Sequence, residues 1–168
     1  MKKKAVYPGS FDPITNGHVD IIQRGLKIFD EIVIAVLKNP KKTPLFSIDE
    51  RVDMIRDVFK GKPGVAVTAF HGLLTDFARK IEADIVIRGL RAISDFEYEF
   101  QMALMNRKLQ PEMETFFLMP NLKYSFLSSN LVKEVFSLGG CLEGLVPVQV
   151  ETRLRDKFPH KPELLVKD

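Results

Sequence analysis

Short apolar runs rich in Val, Ile or Phe alternate along this chain with stretches whose apolar residues recur at helical spacing. Lys4–Tyr7, Glu31–Leu37, Gly64–Phe70, Asp84–Ile87 and Glu114–Met119 are the strand-like runs. Each is bounded by turn residues and apolar enough to be buried on both faces. Val19, Ile22, Leu26 and Phe29 fall at i, i+3, i+7 and i+10, which predicts the apolar face of a first helix. Ser47-Ile48-Asp49-Glu50 is a capping box opening a helix to about Phe59, and Ser94-Asp95-Phe96-Glu97 opens another to about Leu109. Leu73–Ile81 reads as a shorter helix. Ser128 or Ser129 starts one that stops at Gly139-Gly140, and Val148–Phe158 holds the last. No solenoid-length repeat, low-complexity tract or Gly/Ser linker divides the chain. One domain is therefore expected over residues 1–158, with 159–168 as a loose tail.

Strand and helix in alternation imply an α/β fold: a single Rossmann-like domain with a five-stranded parallel sheet and helices on both faces. Ligands in such sheets bind beyond the carboxyl ends of the strands, near the point where strand order reverses. That rule selects Pro8–His18, Lys38–Phe46, Phe70–Leu74, Arg88–Arg91 and Pro120–Asn130 for chemical inspection.

Composition narrows the class. At 168 residues, 45% hydrophobic and 28% charged, the chain has the length for one proper core. Its net charge of 25 − 22 = +3 is well short of what a protein coating nucleic acid would carry. The longest apolar run, Ile32–Leu37, is far too short for a bilayer. Lys2, Lys3 and Lys4 imitate a signal-peptide n-region, but Tyr7-Pro8-Gly9-Ser10 stands where the apolar segment should be. The single Cys141 excludes an intramolecular disulfide and a cysteine metal cage. A soluble cytoplasmic domain with neither membrane nor nucleic acid as partner is expected.

After the first strand, Tyr7-Pro8-Gly9-Ser10-Phe11-Asp12-Pro13 leads into Thr15-Asn16-Gly17-His18. Pro and Gly are expected to break the strand, and Gly lets a phosphate approach the backbone. His18 falls in the opening turn of a helix, where free N–H groups and the helix dipole favour anions. An imidazole there can donate a hydrogen bond to a phosphate as charge develops; a turn followed by a solvent-facing His is the alternative. There is no Gly-Lys-Ser/Thr of a P-loop and no Gly-x-Gly-x-x-Gly fingerprint. Lys38-Asn39-Pro40-Lys41-Lys42 follows the second strand, and its lysines suit an anion or simply a solvated basic loop. Arg88-Gly89-Leu90-Arg91 ends the fourth strand with two guanidinium groups, each a planar fork for phosphate oxygens. Ion pairing with Asp95, Glu97 or Glu99 is the competing use. Tyr124-Ser125-Phe126-Leu127-Ser128-Ser129-Asn130 gathers hydroxyls and N–H groups at a helix start, as an anion nest or as a plain Ser cap.

Gly9-Ser10-Phe11-Asp12-Pro13 followed by Thr15-x-Gly17-His18 resembles the nucleotidyltransferase superfamily with the (His/Thr)-x-Gly-His signature. The Thr form, with the later motifs, is similar to the bacterial phosphopantetheine adenylyltransferase family over Lys4 to about Pro147. The resemblance implies adenylyl transfer from ATP to 4′-phosphopantetheine, giving dephospho-coenzyme A and pyrophosphate. It implies that His18 stabilises the transition state, with Lys42 and Arg91 as the other catalytic cations. ATP would meet Ser10, Phe11 and His18, then Gly89, Leu90, Arg91 and Glu99, then Tyr124, Ser125, Phe126, Leu127, Ser128, Ser129 and Asn130. Glu99, being acidic, would contact adenosine or order an Arg. Phosphopantetheine would meet Ser10, Lys42 and Arg88, with Leu74 and Asn106 along the pantetheine arm beside Met102 and Met105. Related transferases often carry an Arg where this chain has Lys133, and no role is assigned to it. His18, His71 and His160 are too scattered for a transition-metal cage, so Mg²⁺ held mainly by triphosphate and water is the expected cofactor. The resemblance also implies a homohexamer and feedback inhibition by coenzyme A.

Three rivals stand beside this reading. Another nucleotidylyltransferase, using nicotinate mononucleotide or a phosphorylated alcohol, would differ around Lys42, Leu74 and Asn106. A nucleotide sensor without turnover would not need His18. An RNA-binding domain is suggested by the basic pI alone, without an aromatic-lined stripe.

Overall fold

The computed structural model describes residues 3–38, 43–91 and 93–158; Lys42 and the 159–168 segment lie outside them, as do the side chains of 93–95. Five parallel strands, β1 (Lys4–Gly9), β2 (Glu31–Leu37), β3 (Val65–Phe70), β4 (Ile85–Gly89) and β5 (Glu114–Leu118), form one sheet in the order β3-β2-β1-β4-β5. The helices are α1 (Asn16–Gly25), α2 (Ile48–Val58), α3 (Leu74–Lys80), α4 (Ile93–Leu109), α5 (Ser129–Ser137) and α6 (Val148–Lys157). The expected α/β fold and parallel sheet are present.

Side chains alternate across the sheet, so its central strands feed two cores. Ala5, Tyr7, Ile32, Ile34 and Val36 face a large cluster with Ile21 and Ile22 of α1, Val52 and Ile55 of α2, Val132 of α5 and Leu154 of α6. Val6, Ala35 and Val86 face a smaller one with Ala78 of α3 and Met113. Ile22 and Ile55 are wholly buried, each worth about 1.5–3 kcal/mol of transfer free energy. Helix α1 comes so close to the sheet that a Cβ on Gly25 would stand 2.7 Å from Ile32 Cδ1.

The local signals set the helix ends where they are strongest. Ser47 and Glu50 exchange both hydrogen bonds of the capping box (Glu50 N to Ser47 Oγ, 3.2 Å; Ser47 N to Glu50 Oε2, 2.7 Å). Helix α5 is capped by Ser128 and closed by Gly139 at φ 81°, with Gly140 N donating to Val135 O and Gly139 N to Phe136 O.

Three expectations need correction. The first helix ends at Gly25 rather than carrying its apolar face to Phe29, which reaches the core from the following turn. The chain has to leave the helix there because Asp30 N and Glu31 N already pair with Lys3 O to start β2. Helix α4 begins at Ile93, so Ser94 stands inside its first turn and not at its cap; only Leu90, Arg91 and Ala92 separate it from β4. Pro8 and Gly9 do not break β1. They continue it in register with Ala35 and Val36 of β2, which is possible because nothing pairs with Pro8 on the other side.

Candidate active site

Strands β1 and β4 meet where strand order reverses, and their ladder is short. Ala5 pairs with Ile85 and Val6 with Val86, and no pairing follows. Beyond that point β1 stays with β2 as far as Gly9, and β4 stays with β5 as far as Gly89. The sheet therefore splits at its carboxyl edge and opens a cavity of about 730 Å³. Proline in β1, where a donor toward β4 is not needed, suits this split.

Arg88 spans the gap. Its Nη1 donates to Pro8 O at 2.6 Å, while Nε donates to Glu99 Oε2 at 2.6 Å and Nη2 to Glu99 Oε1. Of the two uses foreseen for Glu99, the geometry shows the second: it orders an arginine. Three of the five guanidinium N–H groups are thereby committed, leaving one each on Nη1 and Nη2 for a ligand. Arg91 also lines the cavity and donates to Leu127 O at 3.0 Å.

His18 occupies the third position of α1. Thr15, the N-cap, donates its backbone N–H to His18 Nδ1 at 3.0 Å, and its Oγ1 accepts from His18 N at 3.4 Å. A histidine thus does what Glu or Gln does in an ordinary capping box. Because a backbone N–H can only donate, Nδ1 is the lone-pair nitrogen and the ring proton sits on Nε2. Burial, with Arg91 and Arg88 adding to it, holds the His18 pKa down to about 3. The ring is therefore a neutral Nε2–H donor, oriented by the helix it caps. Phe11 packs edge-on against it at 5.1 Å, in a left-handed backbone conformation (φ 47°) that a non-glycine residue seldom adopts.

The start of α5 forms the opposite wall. Ser128 Oγ accepts from Leu131 N at 3.0 Å and Ser129 Oγ donates to Pro13 O at 2.8 Å. Both hydroxyls act within the protein, so the plain cap applies to Ser128. What the helix offers an anion is its first-turn N–H groups. Asn130, Ser128 and Ser129 line the cavity together with Ser10, Gly89, Tyr124 and Leu127. Leu90, Ser125 and Phe126 are outside its lining; Ser125 Oγ donates to Leu122 O, and Phe126 is exposed. Leu74 packs on the smaller core and Asn106 is buried in α4, neither lining the cavity; Met102 and Met105 are exposed.

Three polar residues in the cavity wall were given no role from the sequence. Tyr7 is buried beside His18. Asp12 is buried too. Its carboxylate accepts from Leu45 N at 3.0 Å, Phe46 N at 2.9 Å and Lys133 Nζ at 2.8 Å, joining the β1 loop to the residues before α2 and to α5. Arg51 is 4% exposed and ties three chain ends: Nη1 donates to Ser10 O (2.7 Å) and Leu37 O (3.3 Å), and Nε to Phe46 O (3.1 Å). One signal was available for Arg51: it stands on the apolar stripe of α2 between Ile48 and Ile55, where a charge needs a reason. With Arg51, Arg88, Arg91 and Lys133 against Asp12 and Glu99, and with two helix N-termini, the wall favours an anion carrying several charges.

The sequence matches the Cytidylyltransferase-like family over residues 6–135, a span that contains every lining residue from Tyr7 to Lys133. It is 60% identical to the phosphopantetheine adenylyltransferase of Dictyoglomus turgidum over 158 residues, 94% of this chain and 99% of the relative. The chain belongs to the phosphopantetheine adenylyltransferase family. The enzyme of that name from Desulforudis audaxviator is 60% identical over 96% of this chain and 99% of its own. That from Clostridium botulinum strain 657 is 53% identical over 97% and 99%. Outside the phosphopantetheine adenylyltransferases the fold persists at low identity. A crystal structure from Vibrio parahaemolyticus, assigned as a nicotinate-nucleotide adenylyltransferase, superposes with a TM-score of 0.67 at 17% identity, covering 94% of this chain and 95% of that one.

Proposed function

We propose that this chain transfers the adenylyl group of ATP to 4′-phosphopantetheine, giving dephospho-coenzyme A and pyrophosphate, the coenzyme A biosynthesis step for which its family is named. The observation that carries the mechanism is the neutral Nε2–H of His18, aimed by a backbone contact at the mouth of the split sheet. A phosphate oxygen of the acceptor attacks the α-phosphorus in line, a new P–O bond forms, and the bond to pyrophosphate breaks. His18 donates to the α-phosphate as it becomes five-coordinate, with Ser10 and Phe11 shaping the loop beside it. Arg91 and the α5 N-terminus at Ser128–Asn130 hold the β- and γ-phosphates, with Gly89, Leu90 and Tyr124–Leu127 around the nucleotide. Lys42 and Arg88, the latter ordered by Glu99, hold the acceptor phosphate, and Leu74 and Asn106, which stand outside the cavity lining, would serve a pantetheine arm that extends beyond it. The acceptor is largely ionised at neutral pH, so positioning and electrostatics suffice and no side-chain base is required.

Mg²⁺ enters this reading with the triphosphate. Among the described residues no group of three or more His, Cys, Asp or Glu could hold a metal, and the cavity's carboxylates are already paired with Lys133 and Arg88. That donor set fits an ion carried by phosphate oxygens and water, which would neutralise charge on the leaving pyrophosphate. A homohexamer is the proposed assembly. The apolar surface of α4 supports association, with Phe96, Phe100, Leu104 and Met105 each 44–55% exposed in the single chain. Coenzyme A, which contains the phosphopantetheine group, is the proposed feedback inhibitor. No described helix is long and apolar enough to cross a membrane, and the cytoplasm is the proposed location.

Pyrophosphate release from ATP across phosphorylated acceptors tests the whole reading. Turnover is expected with 4′-phosphopantetheine, lost in EDTA and restored by Mg²⁺, and CTP should substitute poorly. Activity with nicotinate mononucleotide but not phosphopantetheine would replace the acceptor, and full activity in EDTA would remove the metal. In the same assay Lys42→Ala should raise KM for phosphopantetheine with little change in KM for ATP, because the acceptor phosphate is charged before and after attack. A larger effect on ATP would move Lys42 to the nucleotide.

A further inference from the structure

Tyr7 stands on β1 with its ring held on two sides, edge-on to Phe11 at 5.4 Å and tilted against His18 at 6.4 Å. The residue is 5% exposed, and its hydroxyl has no hydrogen-bond partner among the described residues. The oxygen is not sealed in the core: it is not among the buried unpaired side-chain atoms of the described residues, and Tyr7 lines the cavity. The side chain reaches the cavity wall beside Gly89, where an added Cβ would stand 3.5 Å from the Tyr7 oxygen. The split of the sheet explains the missing partner. Tyr7 lies just past Val6, the last β1 residue paired to β4, so its hydroxyl projects where the cavity begins.

We propose that the Tyr7 hydroxyl donates a hydrogen bond to a phosphate oxygen of the bound nucleotide beside His18, a contact made only when the ligand is present. The assignment rests on the adenylyl-transfer reading for which nucleotide is meant. Its chemistry comes from the surroundings. Arg88 and Arg91 act on the phenol, His18 beside it is a donor, and Glu99, the nearby carboxylate, has both oxygens on Arg88. Donors outnumber acceptors there, which is the arrangement that receives an oxyanion. Burial pushes the Tyr7 pKa up to about 12, so the hydroxyl keeps its proton at any working pH.

Tyr7→Phe removes one oxygen and keeps the ring that Phe11 and His18 pack on. Since the hydroxyl has nothing to lose in the ligand-free protein, its melting temperature is expected to stay the same or rise slightly. kcat/KM for ATP is expected to fall about ten- to a hundredfold, the factor supplied by one hydrogen bond to a charged group. The rise in melting temperature produced by ATP should shrink, while that produced by adenosine, which has no phosphate, should equal wild type. An unchanged kcat/KM would make the hydroxyl idle, and a lower ligand-free melting temperature with intact kinetics would make it structural. An adenosine shift that shrinks with the ATP shift would place it at the sugar. Each of these overturns the proposal. If wild type is stabilised by ATP yet transfers nothing to phosphopantetheine, the acceptor reading fails while the ATP-against-adenosine comparison still decides Tyr7.

Discussion

His18→Ala is expected to lower kcat by on the order of 10²–10³, the loss seen when one oxyanion-type donor is removed. The Michaelis constants for ATP and phosphopantetheine should change little, because the charge His18 meets appears only as the α-phosphate becomes five-coordinate. The pH dependence carries the same argument. With its pKa lowered from the usual 6.5 to about 3, the ring is already neutral across the working range. No limb of the kcat profile between about pH 5 and 9 should therefore belong to His18. Stability should respond with a definite sign. Between about pH 6.5 and pH 3 the unfolded chain takes up a proton that the folded His18 refuses, so the unfolded state binds more protons there. Folding stability from this group is then intact above about pH 6.5 and declines as pH falls toward 3. Steady-state kinetics on a folded variant, with a pH series on wild type, provide the check. A wild-type kcat in His18→Ala, or an acid limb near pH 6.5 that the alanine variant abolishes, would contradict the neutral-donor role.

Asp12→Ala should be the most destabilising single change in the cavity wall. The Asp12 side chain is 8% exposed and closes three contacts at once, on Lys133, Leu45 N and Phe46 N. Truncating one member of a buried pair typically costs about 3–5 kcal/mol, because the partner is left uncompensated. Lys133 is 25% exposed and can turn toward water in the cavity, which brings the expectation to about 3 kcal/mol. For a chain of this size that is a drop of roughly 6–12 °C in melting temperature. Asp12→Asn should fall between alanine and wild type. It keeps one carbonyl acceptor, but its amide group presents N–H either to Phe46 N or to Leu45 N and the Lys133 ammonium together, where an acceptor is needed. Calorimetry on the three proteins tests this order. A melting temperature within about 2 °C of wild type in Asp12→Ala would mean that the three contacts contribute little.

Much of the scaffold could be read from neighbours in the chain. β2 runs from Glu31 to Leu37 as its apolar run predicts, and the Ser47–Glu50 box and the Ser128 cap open their helices as expected. These features depend on residues within a few positions of one another, and local sterics and capping bonds act at that range. The family resemblance likewise rested on contiguous motifs, and His18 fell in the opening turn that Thr15 caps.

Strand order is of another kind. Nothing in the apolar runs says that β1 lies between β2 and β4, so nothing local says that Pro8 can continue a strand. Its missing N–H is harmless only because the β1–β4 ladder ends at Val6. The same split turns Arg88 from a strand-end cation into a bridge from Glu99 to Pro8 O. It also leaves the Tyr7 hydroxyl at an open edge. Asp12 and Lys133 are 121 residues apart, and Arg51 reaches Ser10 across 41. The sequence does not say which groups these charges meet, since a charge can be buried only where a partner has been brought to it. Local pattern thus determined the elements and the signature-bearing loops. The tertiary fold decided which polar side chains share a wall, because ion pairs and cavities form between segments that only the packed sheet brings together.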